Sequence, residues 1–482
     1  MQKGYFTKSS SGQVIVMVIV FSTIATVMMG ALVGWAGVNI NASRNAVYSE
    51  QAIQLAEAGV DYYRWHLAHA PQDFTDGTTT PSPYVHNVLD KDGNVSGQFS
   101  LVITAPPVGS TKVKIESRGI PAGNPSITRR IAVQLAIPSL AKYAVVANDD
   151  MRFGDGTEIF GPVQSNQGIR FDGLAHNLVT SAVATYTDPD SDACTGTSFG
   201  VHTCLSPADP APPATVPTRS DVFQAGRQFP VPAIDFNGLT TNLAQIKSNA
   251  QSAGKYFAPS GAQGYHIILK TNDTFDIYKV TAQTTPGSSC TNVAGATGWG
   301  TWSVRTETFL ANYAIPANGL VFVEDNVWVE GTINSARITI ASGKFPYNAA
   351  TTPNIVVNND LSYTNFDGAD AIALISQGNI TVGMVSDTNL VIDGALVAQN
   401  GRVGRYYYPG GGGSSCSPYD TRTAVTLFGM IATDLRYGFA YTDGNGYDTR
   451  NITYDANLLY APPPSFPLTS SQYQILSWQE EK

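Results

Sequence analysis

The chain has 482 residues, room for more than one domain, yet only 13% of them are charged, against about 25% in an ordinary soluble protein. A net charge of −9 with no basic cluster excludes an electrostatic footprint for nucleic acid. Four cysteines without a C-x-x-C pair argue against zinc-knuckle or thioredoxin chemistry.

The first predicted element is the most apolar. No charged residue occurs between Lys8 and Arg44, and the run from Val14 to Ile40 is almost wholly hydrophobic. As a helix rising ~1.5 Å per residue it reaches roughly 40 Å, more than a ~30 Å hydrocarbon core requires. A cleaved signal has an apolar region of only about 7–15 residues, so 14–40 reads as a retained single-pass anchor. Lys3 and Lys8 precede it and no acidic residue does. Residues 1–13 are therefore expected as a cytoplasmic leader, with the bulk of the chain extracytoplasmic at the cell membrane.

No breaker follows the anchor. Ala46, Ser49, Ile53, Ala56, Val60, Tyr63 and Leu67 recur at alternating steps of three and four, the stripe of an amphipathic helix. Gly59 inside it costs roughly 1 kcal/mol relative to Ala, and Pro71 ends it. Next, "GQFSLVITAP", "TKVKIESRGI" and "ITRRIAVQLAIP" alternate apolar and polar residues, as half-buried antiparallel strands do. Residues 41–138 are thus expected as a helix on a small sheet.

A short basic leader, an apolar helix, "QLAEAGVDYY" and a small sheet, in that order, resemble a type IV pilin-like subunit. The likeness is strongest to the PilX-type minor pilins, in which an Ala-Glu-Ala segment follows the anchor. It implies a bacterial surface protein whose partners are other pilin-like subunits or pilus and secretion assembly machinery. It also implies leader cleavage after Gly12, leaving Gln13 first. One position departs from the pattern: the fifth mature residue, usually Glu, is Met17.

Residues 139–315 are mixed. Short strands separated by Gly, Asn and Asp lead into a Pro-rich loop, then into a helical pattern at Leu239, Leu243, Ile246 and Ala250. Residues 316–482 carry a loose repeat: "GLVFVEDNVWVEGTI", "AIALISQGNITVG", "GALVAQNGRVG" and "FGMIATDLRYG", with "GPVQSNQGIRFDG" upstream as a fifth copy. Each joins an apolar strand to a second one through a polar corner. Spacing of about one solenoid coil, with Asn and Gly at the corners, predicts a parallel β-helix. The terminal "YAPPPSFPLTSSQYQILSW" is expected to cap it. The fold class is then α+β followed by mainly β: a long transmembrane and amphipathic helix with a small antiparallel sheet, then a β-solenoid.

Candidate chemistry is sparse. Cys194 and Cys204 would close a short loop and Cys290 and Cys416 a second, although four cysteines allow three pairings. Asp188, Asp190 and Asp192 alternate like the first half of a calcium loop, making calcium the one candidate cofactor. That pattern lacks its Gly and Glu, since Ala193 and Phe199 stand there. Asp149 with Asp150, and Asp367 with Asp370, are the carboxylate pairs to test for glycosidase chemistry. His66 and His69 lie one turn apart with no third ligand near, and "TDGNGYD" reads as a turn. "YYYPGGGGSSCSPY" reads as a loop rich in exposed aromatics, a contact for a glycan or a protein or, the preferred reading, an insertion between coils. No P-loop or H-E-x-x-H is present. The expectation is a non-enzymatic, membrane-anchored component of a type IV pilus, related filament or adhesion system; the alternative is a tethered β-helix enzyme or binder of polysaccharide.

Overall fold

The computed structural model describes residues 11–190, 194, 196–285, 290, 300–410 and 416–481. Most of the leader, with Lys3 and Lys8, and the carboxylate Asp192 lie outside the described residues. The chain divides into two compact units. The first holds the chain up to Ala105, then Val113–Leu135, then everything from Tyr473; the second holds Pro106–Lys112 and Ala136–Gln472.

One uninterrupted helix, α1 (Ser11–His69), runs through the predicted anchor and the amphipathic stretch. Its outer half buries Ala52, Leu55, Ala56, Val60, Tyr63 and Leu67. The predicted stripe is shifted at its start: Ala46 is exposed, Ser49 and Ile53 are half-buried, and Ala52 and Leu55 take up the contact. The partner is an antiparallel meander of β1 (Tyr84–Leu89), β2 (Val95–Thr104), β3 (Val113–Pro121) and β4 (Arg129–Ala136). Phe99, Leu101, Val113, Ile115, Ile131 and Val133 supply its side of the core.

Glycines set how close helix and sheet come. A Cβ at Gly119 of β3 would lie 1.8 Å from the Ala52 carbonyl oxygen, and one at Gly59 of α1 would lie 2.3 Å from Ser117 Oγ. Gly59, unfavourable for the helix alone, is therefore explained by packing.

The fifth strand of this sheet is Gln474–Glu481, hydrogen-bonded beside β4. Arg129 pairs with Glu480 across that junction. This corrects the expected cap: the end of "YAPPPSFPLTSSQYQILSW" belongs to the first unit, because β4 offers an edge that this strand pairs. The second unit is thus an insertion between two neighbouring strands of the first.

The second unit is mostly short parallel strands. In one row, Lys255–Phe257, Leu320–Val323, Arg337–Ser342, Ala371–Ser376, Asn389–Ala398, Thr421–Thr433, Val145–Ala147, Val163–Ser165, Val179–Ser181 and Arg227–Gln228 pair in that order. Val321, Ile340, Leu374, Leu396, Ile431, Val145, Val163 and Val179 share one register position, all buried. Two residues on, Ser342, Ser376, Ala398, Thr433, Ala147, Ser165 and Ser181 share another. A second row pairs Gly264–Lys270, Val327–Ile333, Ile355–Val356, Ile380–Val382 and Val403–Arg405.

Side-chain amides tie the corner between the rows. Asn326 Oδ1 accepts the Asn354 N–H at 2.9 Å, Asn354 Oδ1 the Asn379 N–H at 2.8 Å, and Asn379 Oδ1 the Arg402 N–H at 2.9 Å. Each bond satisfies a backbone donor that the turning chain leaves without a strand partner.

The pairing order unites regions that the sequence reading kept apart. Val145–Ala147 lies against Thr421–Thr433, so the chain enters mid-row and proceeds outward to Arg227–Gln228. It then restarts at the opposite end with Lys255–Phe257 and returns. Helix α2 (Asn237–Ala253) makes the transfer; Leu243, Ile246 and Ala250 cover Phe322, Ala341 and Ile375, while the side chain of Leu239 lies outside the described residues. Residues 139–315 and 316–472 form one body. An antiparallel hairpin, Thr274–Gln283 with Val304–Ala314, extends the row at Gly264–Lys270.

Candidate functional site

Two features stand out, one in each unit. The first is the inner half of α1. Val14, Phe21, Val27, Leu32, Val33, Trp35 and Ile40 are all exposed, on every side of the helix. Among the described residues this is the one helix long and apolar enough to cross a membrane. Gly12 and Gln13 lie in its first turn, and Met17 one turn further on.

The second is a polar cleft of about 760 Å³ in the second unit. Arg152, Arg170, Arg402, Arg436 and Arg450 line it together with Asp155, Asp172, Asp190 and Asp448. Strand pairing brings its buried end together. Thr185–Asp188 pairs antiparallel with Gly196–Phe199, and Val201–His202 pairs parallel with Ile169–Phe171, setting His202 beside Arg170. A Cys194–Cys204 disulfide, Cα atoms 6.1 Å apart, closes the short loop that carries His202.

Asp188 Oδ2 lies 3.3 Å from His202 Nε2 and 3.6 Å from a guanidinium nitrogen of Arg170. Arg170 Nε donates to Asp172 Oδ2 at 2.7 Å. Asp190 Oδ2 accepts from Arg152 at 3.0 Å and Arg436 at 2.8 Å, and Arg436 also faces Asp150 at 3.4 Å. Burial pushes His202 below the ordinary imidazole value and outweighs the Asp188 charge. For Asp190, burial acts upward, but the hydrogen bonds and charges of Arg436 and Arg152 win and hold it below the usual carboxylate range. Asp150 is raised, chiefly by burial, with Asp149 adding to it.

Of the predicted calcium ligands, Asp188 and Asp190 are described and near each other, but imidazole and guanidinium groups surround them. Asp149 Oδ1 accepts the Asp150 N–H at 2.9 Å. Asp370 is buried and accepts from the N–H groups of Ala336 at 2.9 Å and Asn365 at 2.7 Å, while Asp367 Oδ1 accepts from Ala369 N at 3.0 Å. Both are corner acceptors. His66 bonds Asp73 at 3.1 Å and His69 the Trp65 carbonyl at 2.8 Å, so the two do not converge. Asp443 accepts from Asn445 N at 3.1 Å inside its own turn.

In the tyrosine-rich loop, two of the aromatics expected as exposed are not. Tyr406 and Tyr408 are buried, packed with Met384 and the Cys290–Cys416 disulfide. Tyr408 Oη donates to the Gly300 carbonyl at 3.1 Å. These rings serve a core. Residues 411–415 of the loop lie outside the described residues.

Sequence reasoning missed His202 and the arginines. Arg152 and Arg170 stand one residue before Phe153 and Phe171 in two paired short strands, but only strand register sets them side by side, and Arg436, which follows "ATDL" outside any strand, joins the cluster through its bond to Asp190.

No protein-family model matches the chain, and no curated protein matches it. Among solved structures, the competence-associated pilin ComZ from Thermus thermophilus matches with 13% identity and a TM-score of 0.26, over 90% of this chain and 97% of that one. At that score the likeness carries no further argument.

Proposed function

We propose that this is a membrane-anchored, pilin-like structural protein, a minor or accessory component of a type IV pilus or related surface filament. Its second unit is a β-solenoid displayed outside the membrane. The observation that carries the reading is the division of α1: one half bare and apolar on all sides, the other seated on a small antiparallel sheet. Burying the bare half requires lipid or the apolar helices of like subunits, since exposing that much apolar surface to water costs roughly 25 cal/mol per Å². Support for the solenoid lies in the shared register of the rows and in the asparagine corner. The leader is read as cut after Gly12.

The alternative of a polysaccharide-active protein has one observation in its favour. Asp155, Asp172, Asp190 and Asp448 share a cleft with Tyr437, Tyr441 and Tyr447. Against it, Asp172 and Asp190 are held by arginine, whereas glycosidic cleavage needs a carboxyl kept protonated opposite an ionised one.

The test is mass spectrometry of the mature N-terminus after membrane fractionation, with a photocrosslinker placed at Val33. A start at Gln13 and crosslinks to filament subunits are expected. A start beyond Ala42, or recovery wholly in the soluble fraction, would sink the reading.

A further inference from the structure

The Asp188–His202 contact is unusual for what it lacks. Both side chains are at least nine-tenths buried, yet Asp188 Oδ2 and His202 Nε2 have no hydrogen-bond partner. They face each other at 3.3 Å. Cys204 Sγ, a ring nitrogen of His202 and a carboxylate oxygen of Asp188 all lie within 4.8 Å of one another. Ligands held about 2.0–2.1 Å from a tetrahedral zinc stand about 3.3–3.4 Å from each other, and thiolate sulfur sits at about 2.3 Å. The Asp188–His202 spacing therefore suits one borderline-soft divalent ion.

We infer that Asp188, His202 and Cys204 form a binding site for a zinc-class divalent cation, one that the Cys194–Cys204 disulfide masks and its reduction opens. The site does not depend on the filament reading. While the sulfur is in the bridge it is not a thiolate, so only an oxygen and a nitrogen are on offer. Reduction by a dithiol transfers two electrons and two protons: the Cys194–Cys204 bond breaks, two thiols form, and the dithiol closes to its own disulfide. The entering cation displaces the Cys204 proton to solvent.

Three further features favour the site. Cys204 keeps its place without the bridge, because its N–H donates to Asp172 Oδ1 at 2.7 Å and the preceding Thr203 N–H to Asp209 Oδ2 at 3.1 Å. His202 Nδ1 lies 3.3 Å from Tyr186 Oη, an outer contact that orients the ring with Nε2 toward Asp188. The charges also balance: one carboxylate and one thiolate neutralise a dication, and Arg170, 3.6 Å from Asp188 Oδ2, keeps Asp172 as its hydrogen-bonded counter-charge. Cys204 lines the cleft, so a solvent oxygen completes the fourth position.

Cys194→Ser tests this without reductant, since it frees Cys204 and leaves the Cys290–Cys416 bridge intact. The full chain in detergent is titrated with Co²⁺, then with competing Zn²⁺. The expected result is about one Co²⁺ per chain with tetrahedral visible bands and a thiolate-to-cobalt charge-transfer band, displaced by Zn²⁺. The oxidised wild type should show neither. C194S/H202Q and C194S/C204S should bind at least roughly tenfold more weakly and lose the charge-transfer band. Far-UV circular dichroism and protease resistance check the fold; should C194S unfold, the phosphine-reduced wild type takes its place, with H202Q and C204S as its controls. No thiolate band in the folded thiol form, or one that survives H202Q, overturns the site.

Discussion

The two units solve the burial problem differently. In the first, one helix face covers one sheet, and cohesion concentrates where Gly59 and Gly119 let backbones approach. In the second, no strand of the long row is much use alone. Val145–Ala147, for example, is three residues long and buries Val145 only because the strands on either side place Ile431 and Val163 at the same register. A lesion in the first unit should act on one contact, whereas a lesion in the second should spread along the row.

The largest effect should come from Leu374→Ala. Leu374 is fully buried between Ile340 and Leu396. Emptying the position should destabilise the second unit by about 3–4 kcal/mol, with the cavity adding to the lost transfer energy. Hydrogen exchange should rise at Ile340 and Leu396 and leave β1–β4 unchanged; equal loss in both units would mean that they do not unfold separately. Gly119→Val should cost about 3 kcal/mol in the first unit only, because the added carbon meets a backbone oxygen that cannot move aside. Limited proteolysis should then release α1 fragments while the second unit persists. Asn354→Ala should cost about 2 kcal/mol, leaving the Asn379 N–H unmatched at the corner. Thermal melts would show whether the amide ladder matters as much as the aliphatic one.

The same difference governs what the sequence disclosed. Periodicity within a segment was enough for α1 and for β2 to β4, whose partners lie close in the chain. The repeat was also legible: Val321, Leu374, Leu396, Ile431 and Val163 occupy equivalent places in the five copies and one register position in the fold. Hidden from sequence were the joins between distant segments. Nothing in "KYAVVAND" announces that Val145 will pair with Ile431, and nothing in "QILSWQEE" announces β4 as its neighbour. The candidate site was hidden for the same reason. Asp188 and Asp190 were visible as an acidic motif, but His202 and Arg170 reach them through one pair of strands and Arg436 from the segment after Thr421–Thr433, and the balance of charge at the cluster follows from all of them.

The smallest effect should be a gain. Asp393, buried in Asn389–Ala398, accepts the Tyr363 N–H at 2.8 Å, yet burial, with added repulsion from Asp360 and Asp455, raises its carboxyl from 3.8 to about 6. Because the folded state holds this proton more tightly, the contribution to stability is complete below about pH 4 and is lost as pH rises through about 6. At pH 8 the group is ionised in both states, and the folded state carries a desolvated charge. Asp393→Asn keeps an acceptor for Tyr363 and removes that charge, so it should stabilise the second unit by about 1 kcal/mol at pH 8 and flatten the slope between pH 4 and 6. Chemical denaturation of both proteins across that range checks the sign. A loss of stability at pH 8 would mean that the ionised carboxylate is itself part of what holds this corner of the row, as the amides hold the other.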